Sequence, residues 1–276
     1  FLGLLLRPSL GGKDETFHTN RWGMRDKDYE KKPPPHTCRI ALLGGSPEMN
    51  REVSDDEVWE AVLEDRLNRE NDHRAVNQYE ILNFAAATHT SLHRLAMLEE
   101  KALSFAPDIV FYVAHPSDTN KSVNRLVEVI MTESPIPYDY LRQLIKKAGI
   151  KRDMDVREMR ARLRPYANEM MAWIYQRVVQ LCQERSILPV FVYVPNLRAL
   201  GEEETPAHLR LAAQAGFRII NLSGVFDGYD ETMLHRNEWD SHPNADGHAI
   251  IADRIYEALR QNPDLLKKAP TQVTKR

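Results

Sequence analysis

Short apolar segments alternate with amphipathic segments along most of this 276-residue chain. Residues 39–43 (RIALL) and 108–114 (DIVFYVA) are compact, mainly apolar runs that stop at Gly or Pro-containing turns. Runs of this length and composition are typical of strands that are buried on both faces. Three further segments have strand character, at residues 79–84, 189–194 and 217–222. The chain is therefore predicted to contain about five strands.

Helical patterns separate the predicted strands. Ser54 and Glu57 form a capping box that predicts the start of one helix, and Asn244 is placed to cap the last one. Residues 92–103 and 166–185 repeat apolar side chains at helical spacing. Strands joined by helices imply right-handed crossovers and a mainly parallel sheet. The sequence thus predicts a three-layer α/β/α domain with a flavodoxin-like parallel sheet of about five strands.

Four regions differ in composition along the chain. Residues 1–37 are an irregular lead-in with Gly, Pro and charged residues, and residues 38–262 carry the α/β pattern. Within that domain, residues 119–165 contain no strand pattern and are predicted to be a helical insertion. An insertion that follows a strand end either roofs the active site or forms a subunit contact, and both alternatives stay open. Residues 263–276 are predicted to be a solvated tail.

Composition and charge exclude few classes of protein. The net charge is −3 and the basic residues are dispersed, which argues against nucleic-acid binding. The apolar start of the chain, FLGLLL, is far shorter than the roughly 20 residues of a membrane span. It is either the end of a signal sequence or of a membrane anchor upstream of residue 1, or a terminal segment packed on the domain. Cys38 and Cys182 are expected to be buried thiols, and an extracytoplasmic or membrane-anchored location is one open expectation.

The first polar strand end is the turn GGS at residues 44–46. Ligands of open parallel sheets bind beyond the carboxyl ends of the strands, so chemistry is expected at these ends. Small residues allow a sharp turn, and Ser46 is placed near a helix N-terminus, where N–H groups stabilise a developing oxyanion. A plain Gly-Ser turn is the alternative. Ser46 is therefore a candidate nucleophile.

The second candidate is the segment DSHPNADGH at residues 240–248. A nucleophilic serine needs a base near its hydroxyl and a carboxylate that fixes the tautomer of the imidazole. Asp240 and His242 stand close together, and Pro243 limits the freedom of the loop that is predicted to carry them. A helix-capping loop that contains a histidine by chance is the alternative. His248 falls in the first turn of the closing helix and is expected to be structural.

A third polar strand end is HPSDTN at residues 115–120. Its side chains are expected to lie at the mouth of the sheet, where Ser117 and Asn120 could donate hydrogen bonds to an oxyanion. A turn whose polar groups satisfy one another is the alternative.

Together these segments resemble the SGNH/GDSL hydrolases over about residues 18–260. RIALLGGS resembles the first block of that family, in the variant with Gly before the serine, and DSHPNADGH resembles the last block, which supplies Asp and His. TNRWGMR at residues 19–25 is similar to a lead-in of bacterial members that often follows a membrane anchor or signal. The resemblance implies Ser46 as nucleophile, His242 as base and Asp240 as orienting acid, with an ester as substrate and no cofactor.

The resemblance also implies where an oxyanion would be bound. By position, the donors are the amides of Ser46 and Thr88 and the side chain of Ser117, whereas the family has Gly and Asn at the latter two positions. A threonine amide serves if the backbone keeps its course, but a serine hydroxyl is shorter and rotates more freely than an asparagine amide. Asn120 is a candidate replacement donor. Loss of one oxyanion donor costs on the order of 100- to 1,000-fold in rate.

Two other features are weaker candidates. His89 and His93 have the spacing of two ligands on one helix face, but Thr90 stands where zinc proteases with that spacing have Glu, so no metal site is predicted. Trp239 stands beside the candidate acid and is either a platform for a sugar ring or a loop anchor.

The predicted function is hydrolysis of a small-molecule or carbohydrate ester through Ser46, His242 and Asp240, with a carbohydrate O-acetyl group as one candidate substrate. An acyltransferase is the first alternative, because it would use the same residues with a sugar hydroxyl in place of water. A non-catalytic binding or scaffold protein that keeps the fold is the second, and the departures at Thr88 and Ser117 favour it.

Overall fold

The computed structural model describes residues 8–9, 17–51, 53–70, 76–197, 205–237 and 240–266. A parallel sheet of five strands in the order β2-β1-β3-β4-β5 forms the centre of the domain. This order confirms the flavodoxin-like α/β fold that the strand and helix pattern predicts. The strands are β1 (Thr37–Leu43), β2 (Gln78–Asn83), β3 (Ile109–Ala114), β4 (Leu188–Tyr193) and β5 (Arg218–Asn221).

Both faces of the sheet are buried because side chains alternate along each strand. In β1, Ile40 and Leu42 belong to one apolar core and Ala41 and Leu43 to the other. Two helices pack on the face of Ile40, and four other helices pack on the opposite face, which gives three layers. The first pair is α2 (Trp59–Arg69) and α10 (Ala245–Gln261), and the second set is α3 (Ser91–Glu100), α4 (Asp118–Met131), α7 (Ala167–Gln183) and α8 (Thr205–Ala215).

Helix α2 begins at Trp59, later than the Ser54–Glu57 capping box predicts. The box hydrogen bond is present, with the Ser54 N–H 3.3 Å from Glu57 Oε2, but the residues between form a turn. Asp55, the residue after Ser54, instead forms an ion pair with the buried Arg25, whose Nε lies 2.9 Å from Asp55 Oδ1. A long-range contact thus holds this segment outside the helix, which is why the local signal places the boundary too early.

The helical insertion packs on the face of the sheet that carries α4. Two short helices follow α4, namely α5 (Asp139–Lys147) and α6 (Val156–Leu163). They bury Leu141 and Leu144 from α5 and Met159 and Leu163 from α6 in the core on that face. Helix α6 also packs against α4. The insertion therefore extends the layer beside the carboxyl end of β3.

The region before α10 differs from the loop that the sequence predicts. A short helix, α9 (Glu231–Leu234), leads into an antiparallel pair formed by β6 (His235–Asn237) and β7 (Asp240–Pro243). Asn244 then caps α10, as predicted, because its Oδ1 accepts the Gly247 N–H at 3.1 Å. The candidate acid and base are thus carried by a strand, since its backbone pairs with β6.

The prediction of a solvated tail from residue 263 is wrong for Leu265 and Leu266. Residues 263–266 form a helical turn that buries Leu265 and Leu266 in the core next to α10. Burial of these two side chains stabilises the turn. The polar composition of the residues that follow does not indicate this burial. Residues 267–276 lie outside the described residues. Within the described ranges, no helix is long and apolar enough to span a membrane.

Candidate active site

A serine, a histidine and an aspartate form a chain of hydrogen bonds beyond the carboxyl end of β1. Ser46 begins the four-residue helix α1 (Ser46–Met49), directly after the Gly-Gly turn. Its Oγ lies 2.9 Å from His242 Nε2. The other ring nitrogen of His242 lies 2.5 Å from Asp240 Oδ1, which also accepts the His242 backbone N–H at 3.0 Å. The structure therefore brings together all three residues that the sequence predicts as nucleophile, base and acid.

Asn50 connects the segment that carries Ser46 to the strand that carries Asp240 and His242. This residue follows α1, and its Nδ2 donates to the Pro243 carbonyl at the end of β7, at 2.8 Å. Its side chain also lies 3.0 Å from the ring of His248 in α10. His248 is buried, and burial lowers its pKa to about 4, so the ring is neutral at neutral pH. Its Nδ1 accepts the Trp59 N–H at 3.2 Å, which supports the structural role predicted for this histidine.

The two glycines before Ser46 are required by close packing. A Cβ atom at Gly44 would lie 2.6 Å from a carboxylate oxygen of Glu48. A Cβ atom at Gly45 would lie 3.1 Å from the guanidinium of Arg94. Both distances are shorter than ordinary van der Waals contacts. Because the two glycines have no side chains, the charged groups of Glu48 and Arg94 can approach the backbone of the turn closely.

The first of these charged groups, Glu48, is fully buried beneath the turn. One of its oxygens accepts the Gly45 N–H at 2.8 Å, and the other lies 3.1 Å from His115 Nε2. The second ring nitrogen of His115 contacts the Val194 carbonyl at 3.1 Å. Burial opposes ionisation of Glu48, but His115, the Gly45 N–H and Arg94 outweigh it and lower the Glu48 pKa to about 2. A buried carboxylate thus holds the backbone next to the candidate nucleophile.

The second charged group, Arg94, forms a buried ion pair with Asp118 at the start of α4. Burial opposes the charge of both groups, but their mutual attraction raises the pKa of Arg94 and lowers the pKa of Asp118. Asp118 also accepts the backbone N–H of His115 at 3.1 Å. The pair therefore connects α3, the end of β3 and the serine turn beneath the candidate active site.

The candidate oxyanion donors occupy different surroundings. Ser117 precedes α4 and lines the same cavity as Ser46 and His242. Thr88 lies in the wall of a neighbouring cavity and has a φ angle of 67°, a left-handed conformation that favours glycine. This angle fits the position where the SGNH/GDSL hydrolases have Gly. The Thr88 backbone therefore has a conformation typical of glycine, which is strained for a threonine.

The remaining predicted donor lies apart from the site. Asn120 is exposed in the first turn of α4 and belongs to the lining of neither cavity, whereas Lys121 belongs to both. Because α4 begins directly after Ser117, its rotation directs residue 121 rather than residue 120 to the cavity wall. Asn120 therefore does not compensate for the missing asparagine at 117. Trp239, the predicted sugar platform, lies outside the described residues.

The cavity at Ser46 is small. Its volume is about 170 Å³, and its wall includes His115, Ser117, Lys121 and His242. Ligand-sized cavities usually measure about 300–1,000 Å³. The space next to the serine is therefore smaller than a usual ligand cavity.

The lead-in supports the segment that follows α1. Arg25 is buried and donates to the Met49 carbonyl at 3.2 Å and to the carbonyls of Asn50 and Val53. Asn20 accepts the Met24 N–H at 3.0 Å, which folds the lead-in back on itself. The sequence points to this region only through its resemblance to a family lead-in, and the structure supplies the physical reason. The arginine satisfies the carbonyl groups that end the helix of the serine.

His89, which precedes α3, and His93 within α3 pack as stacked rings. The centroids of His89 and His93 are 5.1 Å apart and the rings are nearly parallel, at 4°. His93 Nδ1 accepts the Thr90 N–H at 3.0 Å, so it caps the helix. Burial, His89 and Arg125 lower the His93 pKa to about 3. Nδ1 of His93 is therefore engaged with the start of the helix.

Several residues of the site are missed by sequence reasoning. Glu48, Arg94 and Arg25 are charged residues in helical or irregular segments, where charges are common and carry no motif. Only burial distinguishes them, and burial depends on contacts between distant segments. His115 is in a predicted polar strand end, but its pairing with Glu48, 67 residues away, has no sequence signal.

Comparison with known proteins gives structural matches only. No family model and no curated protein matches the sequence. LAE5, an α/β hydrolase enzyme from the metagenome of Lake Arreo in Spain, is 15% identical, with a TM-score of 0.54 over 83% of this chain and 96% of that chain. TesA is 14% identical, with a TM-score of 0.53 and coverages of 81% and 98%. The acetyl xylan esterase AlAXEase is 15% identical, with a TM-score of 0.51 and coverages of 80% and 99%.

These matches define the class of fold. The chain has the same α/β hydrolase-like architecture as these solved enzymes, with one parallel five-stranded sheet between helices. The fold that the resemblance to SGNH/GDSL hydrolases implies is thereby confirmed. At identities this low the match concerns the fold, and the chemistry has to be argued from the residues.

Proposed function

We propose that the protein hydrolyses carboxylic esters, with Ser46 as nucleophile. The hydrogen-bond chain from Ser46 Oγ to His242 at 2.9 Å and on to Asp240 at 2.5 Å carries this proposal. Nucleophilic serines are activated by a base within about 2.6–3.2 Å that a third group orients, and the three side chains meet both conditions. The exposed fractions of the His242 and Asp240 side chains are 34% and 23%, so the site is open to a substrate.

The reaction follows from these contacts. His242 Nε2 removes the hydroxyl proton as Ser46 Oγ bonds to the ester carbonyl carbon, and the carbonyl oxygen becomes an oxyanion. Asp240 keeps the second ring proton on Nδ1 and stabilises the imidazolium. The imidazolium then gives its proton to the leaving alcohol, which leaves an acyl group on Ser46. A water molecule, deprotonated by His242, releases the acid and restores the serine.

The oxyanion would be held at the start of α1. The Ser46 N–H is at this helix terminus, where N–H groups favour a developing negative charge. The Thr88 N–H and the Ser117 hydroxyl are the second and third donors in this proposal. The position of Ser117 in the wall of the serine cavity supports this role.

The substrate is proposed to be a short-chain acyl ester of a carbohydrate. The small cavity at Ser46, about 170 Å³, favours an acetyl group. A second cavity of about 720 Å³ shares Lys121 with it and offers room for the alcohol part. An acetyl xylan esterase of the same fold supports the choice of a carbohydrate as the alcohol.

Labelling with a fluorophosphonate probe tests the nucleophile. We expect a single adduct on Ser46, located by intact mass and peptide mapping, that disappears in Ser46→Ala and in His242→Ala. The exposed Ser223 provides a matched control, because it is in the wall of neither cavity and Ser223→Ala should keep the adduct. Folded wild-type protein that forms no adduct at neutral pH would refute the proposal and leave a binding protein with this fold as the better account.

A further inference from the structure

A second cavity lies next to the candidate active site, between α4, α6 and the segment before α3. Its volume is about 720 Å³, and Thr88, Lys121 and Arg160 are in its wall. Lys121 also lines the cavity of Ser46. A substrate whose acyl group occupies the serine cavity therefore extends into this larger space, where its alcohol part meets the helical insertion.

The wall of the larger cavity has an excess of positive charge. It contains three basic side chains, Lys121, Arg125 and Arg160, and one acidic side chain, Glu128. The charge of Arg125 is partly neutralised by Glu128, because Arg125 Nη1 lies 2.9 Å from Glu128 Oε2. Within the described parts of the chain, Lys121 and Arg160 form no ion pair. Two cationic groups thus face a cavity of a protein whose overall net charge is −3.

The histidine in this wall adds a neutral donor. The pKa of His93 is lowered to about 3 by burial and by His89 and Arg125, so its ring is neutral at neutral pH. Because Nδ1 accepts the Thr90 N–H at 3.0 Å, the ring proton is on Nε2. The cavity therefore offers positive charge and an N–H donor, which is the chemistry that binds an anionic group.

We propose that the ester substrate is an acidic carbohydrate, whose anionic group binds Lys121 and Arg160 while its acyl group lies at Ser46. This inference rests on the proposed function, because it assigns the alcohol part of the same ester. Carboxylates of uronic acids and phosphate groups of sugar phosphates share the required negative charge. The helical insertion then acts as a specificity element, because α6 supplies one of the two cations.

The test compares acidic and neutral substrates. The wild-type protein should hydrolyse O-acetylated oligogalacturonate with a kcat/KM about tenfold or more above that for an O-acetylated xylo-oligosaccharide. An O-acetylated hexose phosphate in a third arm distinguishes phosphate from carboxylate. Added NaCl should lower the acidic rates and leave the neutral rate unchanged, since salt screens the attraction. Equal kcat/KM for acidic and neutral substrates would overturn the inference.

Variants assign the effect to the cavity. Relative to the neutral substrate, Arg160→Gln should raise KM for the acidic substrate about three- to fivefold, and the double variant with Lys121→Gln about tenfold. Arg157→Gln is the matched control, because Arg157 is exposed on the same helix outside the cavity. An equal change in the Arg157 and Arg160 variants would show that the cavity is not the binding site.

Failure of this inference and failure of the proposed function give different results. Hydrolysis of p-nitrophenyl acetate and labelling of Ser46 report the chemistry alone, so their retention without an acidic preference overturns only the substrate class. If both are absent, calorimetric binding of deacetylated oligogalacturonate still tests the cavity. Binding that Arg160→Gln weakens supports an anion site, and no binding overturns it.

Discussion

Replacing Glu48 by Gln would remove the buried charge beneath the serine turn. The side chain is 1% exposed, accepts the Gly45 N–H at 2.8 Å and contacts His115 at 3.1 Å. Glutamine has nearly the same shape, so packing is conserved while one oxygen becomes an NH₂ group. That group cannot accept the Gly45 N–H, and toward His115 it can only donate to the ring nitrogen, so the attraction between a carboxylate and His115 is lost. The expected result is a less stable protein with a displaced serine turn.

The size of the effect follows from the Glu48 pKa. Its lowering from an ordinary 4.5 to about 2 corresponds to roughly 3 kcal/mol of unfolding free energy, because one pKa unit equals about 1.4 kcal/mol. A carboxyl group with a lowered pKa contributes this stability above pH 4.5. The contribution is lost as the pH falls through 4.5 toward 2, where the folded protein also binds the proton. The difference between the wild-type protein and Glu48→Gln should shrink over that range.

Urea unfolding followed by tryptophan fluorescence measures both points. At pH 7 we expect Glu48→Gln to lower the unfolding free energy by about 3 kcal/mol. Glu257→Gln is the control, because its exposed carboxylate in α10 pairs only at the surface and should change stability by less than about 0.5 kcal/mol. Fluorophosphonate labelling of Ser46 should also slow in Glu48→Gln. A variant as stable as the wild-type protein at pH 7, or a difference that persists unchanged at low pH, would refute the reasoning.

Three further changes test the site and its support. Asp240→Asn should slow labelling of Ser46 by roughly 10⁴-fold without unfolding the protein, because an amide favours the wrong imidazole tautomer, and circular dichroism checks the fold. Thr88→Gly should raise the urea unfolding free energy by about 1 kcal/mol by relieving a φ of 67°, and no gain would contradict the strain. Burial raises the Glu60 pKa to about 8. Since the folded state then keeps a proton that the unfolded state has lost, this carboxyl group should lower wild-type stability by about 2 kcal/mol from pH 6 to 8, and Glu60→Gln should reduce the pH slope by that amount.

The central sheet could be predicted because its strands are buried on both faces and therefore form continuous apolar runs. Residues 109–114 are an example, since every side chain of β3 is buried. The hairpin of β6 and β7 could not be predicted in the same way. Its strands have three and four residues and pair only with each other, so no apolar pattern marks them. The burial of Leu265 and Leu266 could not be predicted, because two adjacent apolar residues in a mainly polar segment form no helical or strand pattern.

The candidate nucleophile and base could be found because each is part of a short pattern near a strand or helix end. Ser46 follows a Gly-Gly turn, and His242 stands in a segment with Asp240 and the helix cap Asn244. The groups that support them could not be found, since each acts across the sheet. Glu48 meets His115 only because β1 and β3 are neighbours, a pairing that depends on the strand order.

The glycine before Ser46 and the buried ion pair of Arg94 are two parts of one arrangement. By resemblance, Gly45 stands where the SGNH/GDSL pattern has an Asp before the serine. In the structure, a Cβ atom at Gly45 would lie 3.1 Å from the Arg94 guanidinium and 3.3 Å from the His89 carbonyl. An aspartate at this position would therefore have no room for its carboxylate unless Arg94 moved. Arg94 forms an ion pair with Asp118, and Asp118 also accepts the backbone N–H of His115. The contacts that join the serine turn, α3 and the end of β3 therefore depend on the absence of a side chain at Gly45.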